Sequence, residues 1–533
     1  MNIKDFVRVG QKVLNLIFWM IVGFLAGDTG MGFYYSAMII YMLVFTLTMG
    51  AMKETIARMV AVRRSKGFHD NAHRIFYFGL FLSLAIGVLV FALFRFGGVA
   101  IVRSLYGYNI PASVLGIFGI YFLITSINSC LTGYYQGMGN VLNCLVGEIV
   151  QCAILIIGSP FIVRNMYIYG GKVSALLKNP LYANLNGAIG AVITQCIAVS
   201  VSTLIILFGV IKSYNDGYED SGAVRGVDNK RSFISSYIKI SISVIEEKVI
   251  PILTFVTMTV LFVKAGFKAG ADTRDIFLNL GVFAGKYLIV IAMPMAFFID
   301  FVDKEKKKLR ADFNKEEHKN LRTRAGYLIK NAIYIIVPIG VSAIVLAKPI
   351  VMIFFGGKMS LGVTLVRQGG IVIILGGLTY TCKSILRSVS LEMYSLVTSL
   401  AGYVAMLVFL LPASKSAFNI NMLVIALVVY YLVQMVCSGL LVYRMLGIFV
   451  IDIGVKAAKV IAGSVGLMIV ELVLDKLIVM NILFLLIAVI AGYILFFVIV
   501  SILKGINRKD INSLKGTLIY YPSFYFGNMF GGR

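Results

Sequence analysis

The sequence carries ionisable side chains inside long apolar segments. Glu246, Glu247 and Lys248 are consecutive and precede Pro251, and Lys286 lies about ten residues into the next apolar segment. A charge at the centre of a membrane-spanning helix costs about 3 kcal/mol on insertion scales and normally faces a protein interior or a water-filled cavity. These side chains are therefore candidates for holding a polar or charged ligand inside the membrane.

Helix geometry limits what the cluster can do. Adjacent helical residues point about 100° apart, so Glu246, Glu247 and Lys248 cannot all face one cavity. One or two are expected to face inward, and the alternative for the cluster is a structural ion pair near the cytoplasmic rim. Lys286 is too deep to reach the surface easily, so it either faces the cavity or pairs with a carboxylate of the preceding helix.

Three further polar side chains are cavity candidates. Glu148 and Gln151 lie one helical turn apart and either line an inner wall or bond within their own bundle. Arg387 lies in the polar turn that ends the tenth apolar segment. Other charged residues in or at the ends of apolar segments are Asp300, Lys330, Glu392 and Glu471.

The first apolar segment adds Asn15 and Trp19, again one turn apart. Trp19 is the single tryptophan, and its ring could support a sugar or anchor the helix at the membrane interface. Tyr34 and Tyr35 open the second segment and are expected in the outer aromatic belt.

Catalytic and metal-binding patterns are missing from the sequence. His69, His73 and His318 all fall in inner loops, so no histidine-based triad or intramembrane metal site is expected. No credible nucleotide-binding glycine loop occurs, and we expect neither a cofactor nor a metal. The six cysteines are predicted to be buried small apolar residues: Cys130, Cys144, Cys152, Cys196, Cys382 and Cys437.

The amino-acid composition of the chain indicates that the apolar segments carrying these charges lie in a membrane. Of 533 residues, 59% are hydrophobic and 14% charged, which excludes an ordinary water-soluble domain. The apolar blocks predict an all-α polytopic membrane protein with fourteen transmembrane helices. Their expected positions are 8–27, 33–52, 75–94, 112–134, 141–163, 184–211, 234–263, 276–300, 326–347, 368–387, 392–412, 420–443, 455–474 and 479–503.

The distribution of basic residues gives the orientation. With both termini in the cytoplasm, inner segments hold 32 of the 49 Lys and Arg, including six in the link 53–74, and outer segments hold 13. This bias predicts cytoplasmic termini and accounts for most of the net charge of +25, so no nucleic-acid partner is expected.

An internal repeat divides the chain. Residues 101–107 (IVRSLYG) follow the third helix, and residues 350–356 (IVMIFFG) follow the ninth, 249 positions later. Six helices separate the copies, so the repeats are parallel. We therefore predict two six-helix lobes, 1–211 and 234–445, a cytoplasmic linker at 212–233, and two further helices with a cytoplasmic tail at 446–533. Chance similarity between amphipathic loops is the alternative.

Four short segments resemble a known family. They are residues 30–34 (GMGFY), 57–67 (ARMVAVRRSKG), 133–140 (GYYQGMGN) and 347–356 (AKPIVMIFFG). Their order and their positions relative to the helices resemble the polysaccharide-flippase branch of the multidrug/oligosaccharidyl-lipid/polysaccharide exporter superfamily. Within that branch, the segments resemble stage V sporulation protein B and lipid II flippase-like members. The resemblance spans about residues 10–445.

The resemblance implies two lobes in a V shape and alternating access. It implies a polyprenyl-phosphate-linked glycan moved from the inner to the outer leaflet of the bacterial cytoplasmic membrane, with a possible coupling ion. It places the substrate path between helices 1, 2, 7 and 8, which include Asn15, Glu246, Glu247 and Lys286. Lipid II-type members usually carry an arginine in helix 1, and this chain has none between Lys12 and Gly27. Either Lys286 and other cations receive the phosphate, or the substrate differs.

Two other functions remain open from the sequence. The first is a cation-coupled multidrug exporter of the same superfamily. The second is a membrane glycosyltransferase or sugar-polymer ligase, which would need a large outer loop rich in Asp, Arg or His. The outer loops here are short, which favours a transporter over an enzyme.

Overall fold

The computed structural model describes residues 3–108, 112–216, 230–356, 360–416, 418–447, 450–477 and 481–505. Across these ranges the chain is helical and contains no β-strand, so the predicted all-α class is confirmed. Most of the predicted linker (217–229) and the tail after residue 505 lie outside the described residues.

The helices of the described ranges are numbered along the chain. They are α1 (Ile3–Met49), α2 (Met52–Ser65), α3 (His69–Phe96), α4 (Gly98–Tyr106), α5 (Ala112–Gly137), α6 (Val141–Leu177), α7 (Leu181–Asp216), α8 (Lys230–Val244), α9 (Ile250–Lys268), α10 (Thr273–Val282), α11 (Leu288–Asn314), α12 (His318–Val345), α13 (Ala347–Phe355), α14 (Ser360–Gly369), α15 (Ile371–Ser388), α16 (Glu392–Ser416), α17 (Asn421–Leu446), α18 (Val450–Leu477) and α19 (Ile482–Ile502). Two π-helical turns, Ile245–Val249 and Phe283–Tyr287, separate α8 from α9 and α10 from α11.

The membrane character of the helices is confirmed. In the described part of the chain, thirteen helices are long and apolar enough to cross a bilayer, and the first of these, Gly10–Ser65, includes two of the predicted spans. Many of their outward side chains are large and apolar, among them Phe81, Leu89, Val408 and Ile487. Such side chains are stable against acyl chains and would be unfavourable in water.

Gly27 marks the break that the sequence predicts between the first two spans. Its φ of 74° is in the left-handed region and interrupts α1. L-residues with a Cβ rarely adopt this conformation, so glycine is the residue that permits the kink here.

The two copies of the repeat fold alike. α3 and α12 each contain 28 residues, and α12 begins 249 positions after α3, the same offset as the sequence motif. α4 and α13 each contain nine residues at that offset and end at a glycine with positive φ, Gly107 or Gly356. Two consecutive helices with matching bounds support a duplication over chance similarity of two loops.

The described chain forms two compact units, residues 2–285 and 286–533. In the first, α6 packs along α7, α3 packs on α5, and α1 contacts α6, α7 and α10. Because α8–α10 pack with the first seven helices, the contact boundary lies later in the chain than the linker predicted from the repeat. The lobe boundaries at 211 and 234 therefore stay predictions.

The second unit is organised around α12, which packs on α11, α15 and α18. α16 pairs with α17, and α18 pairs with α19. Leu346, Leu485 and Ala488 form a buried apolar cluster that attaches α19 near the end of α12, with Leu474 of α18 packed against it.

Candidate functional site

The first unit contains a cleft of about 540 Å³ where the end of α1, the helix α2, the end of α5 and the first π-helical turn meet. This volume is within the roughly 300–1,000 Å³ typical of ligand pockets. We call it the basic cleft, because three of its lining residues are cations and one is an acid. The residues lining it are Gly50, Lys53, Glu54, Ala57, Arg58, Ala61, Gln136 and Lys248.

Lys53 lies at the edge of the basic cleft, where it pairs with Glu148, which in turn bonds to Gln11. Its Nζ lies 3.1 Å from Oε1 of Glu148, and Gln11 Nε2 donates to Oε2 of the same carboxylate at 2.8 Å. The Lys53 and Glu148 side chains are 42% and 25% exposed. An ion pair this accessible is worth about 1 kcal/mol or less. Lys53 can therefore turn from Glu148 to a bound anion at little cost.

The other charges of the cleft leave it net positive. Arg58 pairs with Glu54 one turn away on α2. Lys248 is exposed, lines the cleft, and forms no ion pair within the residues that the structure describes. A phosphate entering the cleft would meet Lys248 without displacing a carboxylate, and Lys53 after a small rearrangement.

Four of the predicted site residues lie on the two π-helical turns: Glu246, Glu247, Lys248 and Lys286. Lys248 belongs to Ile245–Val249, and Lys286 belongs to Phe283–Tyr287. Single π-turns inside α-helices are rare and occur frequently at functional sites. Glu247 is exposed on the first of these turns, whereas the side chain of Glu246 lies outside the described residues.

Lys286 is buried, with 7% of its surface exposed. The next residue, Tyr287, donates its hydroxyl to the Gly369 carbonyl at 3.2 Å, which fixes the end of the π-turn. A lysine so deep in a predicted span does not reach the surface. The structure thus places this ammonium in the protein interior and leaves its role as a prediction.

The aromatic residues of α1 form a packed cluster. Trp19 meets Tyr34 and Tyr35 edge-on, with ring centroids 6.3 Å and 6.5 Å apart. Both tyrosines are buried, so their predicted place in an outer aromatic belt is wrong. Gln195 Nε2 donates to the Tyr34 hydroxyl at 2.8 Å, giving the ring a polar partner inside the unit. Trp19 stays half-buried, and Asn15 is exposed one turn earlier.

The second unit has a polar cluster of its own. Arg387 and Lys383 lie one turn apart on α15, and both are buried. Lys383 Nζ donates to Oγ of Ser399 and, at 3.3 Å, to Oε1 of Gln434. Four predicted site residues do not line the basic cleft: Arg387, Gln151, Asn15 and Trp19.

Sequence reasoning missed Lys53, Arg58 and Gln11. It treated residues 53–74 as an inner loop, whereas α2 and the start of α3 occupy most of that stretch. The signal available was the pair Glu54 and Arg58 at i,i+4, which favours a helix. Among the described residues, no group of three His, Cys, Asp or Glu side chains is placed to hold a metal ion.

No family model and no curated protein matches the chain at the sequence level. Solved structures do match. An inward-facing multidrug resistance MATE family transporter of the MOP superfamily has a TM-score of 0.62 and 14% identity, with 83% of this chain and 98% of the other covered. The lipid II flippase MurJ, in an inward closed conformation, has a TM-score of 0.62 and 14% identity, with 94% and 98% covered.

A third match is a MOP superfamily transporter from Pyrococcus furiosus, described as having a binding pocket of reverse polarity. Its TM-score is 0.52 and its identity 15%, with 83% of this chain and 94% of the other covered. At such identities the likeness establishes the fold and not the activity. MOP is the multidrug/oligosaccharidyl-lipid/polysaccharide group that the sequence motifs resemble. The chain therefore has the fold of the MOP superfamily transporters, as its motifs predict.

Proposed function

We propose that this protein is a flippase of the bacterial cytoplasmic membrane. It moves a polyprenyl-phosphate-linked oligosaccharide, or another cell-wall or polysaccharide precursor, from the inner to the outer leaflet by alternating access. The observation that carries the proposal is the basic cleft, lined by Lys53, Arg58 and Lys248, on the side predicted to be cytoplasmic. The shared fold with a lipid II flippase supports it.

The cleft fits the chemistry of such a substrate. Lysine ammonium groups bind phosphate as point charges, and the arginine fork adds paired hydrogen bonds. Sugar hydroxyls cost several kcal/mol each when they are desolvated without partners. Gln136 and Glu54 in the cleft offer partners to hydroxyls, while the lipid tail stays among the acyl chains. The cleft also provides cations for the phosphate although helix 1 lacks the arginine usual in lipid II-type members. Lys53 and Arg58 come from α2, and Lys248 comes from the first π-turn.

A second candidate is a cation-coupled multidrug exporter. The fold shared with MATE family transporters favours it. A cationic drug, however, would be repelled by the net positive charge of the cleft. The two candidates therefore predict opposite charge preferences for the substrate.

Two cell assays separate these functions. We expect the protein to restore growth to a strain depleted of its lipid-linked-sugar flippase and to leave ethidium efflux unchanged in a strain lacking drug pumps. Ethidium efflux without growth rescue would favour the exporter. Mass spectrometry of the lipid-linked intermediates that accumulate in the inner leaflet when the gene is silenced would identify the glycan.

We expect Lys286→Ala to abolish transport while membrane insertion and abundance stay normal, because the buried ammonium would contact the substrate and the remaining helix stays apolar. Lys286→Arg keeps the charge and should retain part of the rate. Lys330→Ala is the matched control, since Lys330 is also a lysine inside a span but is only half-buried, with its Nζ over the Tyr327 ring. Unchanged flipping in proteoliposomes would contradict the role of Lys286, and a fall in abundance would show that its contribution is structural.

A further inference from the structure

The helix pair α18 and α19 contains a fully buried acid. Glu471 lies in α18 and has no exposed surface. Ser342 of α12 donates its hydroxyl to Glu471 Oε1 at 2.7 Å. The second oxygen, Oε2, is buried and has no hydrogen-bond partner in the described part of the chain.

The residues next to Glu471 leave space for its carboxyl group and interact with it. A Cβ at Gly492 of α19 would lie 3.2 Å from Glu471 Oε1 and 3.1 Å from its Cγ, so glycine leaves the room that the side chain occupies. Tyr493, the next residue, shares the Ser342 hydroxyl and is the titratable group of α19 that interacts with Glu471. On α18 itself the nearest acid is Asp475, one turn away. No lysine, arginine or histidine of the described chain forms an ion pair with Glu471.

This arrangement suits a neutral carboxylic acid and not a carboxylate. A neutral acid at this position leaves one oxygen without a partner, whereas a carboxylate leaves a whole charge with a single hydroxyl donor. An unpaired charge in a buried membrane site is resolved by protonation or by the entry of water or a cation. Entry of water at Oε2 requires α18 and α19 to separate from α12.

We propose that Glu471 is a proton-binding site, and that binding of its proton controls the docking of α18 and α19 on α12. With the proton bound, the acid is neutral and the three helices pack as described. When the proton leaves to water, the carboxylate needs solvation, and the contact between Glu471, Ser342 and Gly492 opens. Proton binding and helix packing are linked, because only the packed state excludes water from the carboxyl.

The test uses the full-length protein in lipid vesicles with Ala488→Cys as a reporter. Ala488 is fully buried in the cluster that attaches α19 near the end of α12. We expect a membrane-impermeant maleimide to label this cysteine at alkaline pH and not at acidic pH. Infrared difference spectra over the same pH range should show loss of a protonated carboxyl band. The parent protein without Ala488→Cys gives the labelling background of the native cysteines.

Three variants make the assignment specific. Glu471→Gln mimics the neutral acid, so it should fold, remain unlabelled at every pH and lack the infrared band. Ser342→Ala removes the donor that favours the carboxylate, and the labelling transition should move to higher pH. Asp475→Asn, on the same helix, should leave the transition unchanged. A transition that persists in Glu471→Gln, or a wild-type spectrum without a titrating carboxyl band, would overturn the proposal.

Discussion

Lys53→Gln combined with Lys248→Gln is expected to slow transport of an anionic lipid-linked sugar about 100-fold. Both lysines line the basic cleft. A hydrogen bond to a charged group contributes roughly 1.5–3 kcal/mol, and the loss of two at the lower figure, about 3 kcal/mol, corresponds to about two powers of ten. The initial rate of headgroup translocation in proteoliposomes measures the effect.

Lys66→Gln is the control for this double variant. Lys66 is exposed just after α2 and does not line the cleft, so its loss removes the same charge elsewhere on the same side. We expect its rate to match the parent protein. Salt should slow the parent more than the double variant, since screening weakens exposed charges that act on the phosphate. Equal rates for parent and double variant would show that the cleft does not receive the substrate.

Gly281→Ala and Gly32→Ala are expected to prevent accumulation of the folded protein. A Cβ at Gly281 would lie 1.7 Å from the Asp28 carbonyl oxygen, and a Cβ at Gly32 would lie 2.0 Å from the Phe277 carbonyl oxygen. The backbones of α1 and α10 thus touch at two places. Overpacking typically costs about 1–3 kcal/mol, and the cost here should be at or above the upper end because backbone cannot rotate away.

Gly23→Ala serves as the comparison for both glycine variants. It is on α1 too, and a Cβ placed there meets no heavy atom within 4 Å. Membrane abundance and the midpoint of thermal unfolding measure the difference. Normal abundance and an unchanged midpoint for Gly281→Ala would contradict the close α1–α10 contact. α10 leads directly into the π-turn that carries Lys286.

The sequence predicts the helices well because length and apolarity decide whether a segment spans a membrane. Each of the fourteen predicted spans overlaps one of the candidate spans of the described residues, although several of their ends differ. The matched bounds of α4 and α13 support the repeat predicted at positions 101 and 350. The positions of the six cysteines in apolar blocks also predict that their side chains are buried, and all six are buried or half-buried.

The basic cleft is harder to predict, because its charged residues are distant in the sequence and come together only through tertiary contacts. Lys53 becomes a site residue only when α2 packs beside α5 and the first π-turn, and a hydropathy window cannot show this. Tyrosine is a residue type enriched at membrane interfaces, yet the Tyr34 ring is buried and packs against Phe18, Trp19 and Phe118. His73 likewise reads as a solvated residue, whereas its Nδ1 is 2.8 Å from the Tyr134 hydroxyl.

One measurement tests the proposed flippase activity most directly. Purified protein in sealed vesicles should move a fluorescent polyprenyl-diphosphate sugar between leaflets, as read by a membrane-impermeant quencher. We predict that transfer exceeds that of empty vesicles and is about 100-fold slower in the Lys53→Gln, Lys248→Gln double variant. Transfer no faster than in protein-free vesicles, together with transport of ethidium by the same preparation, would contradict the assignment.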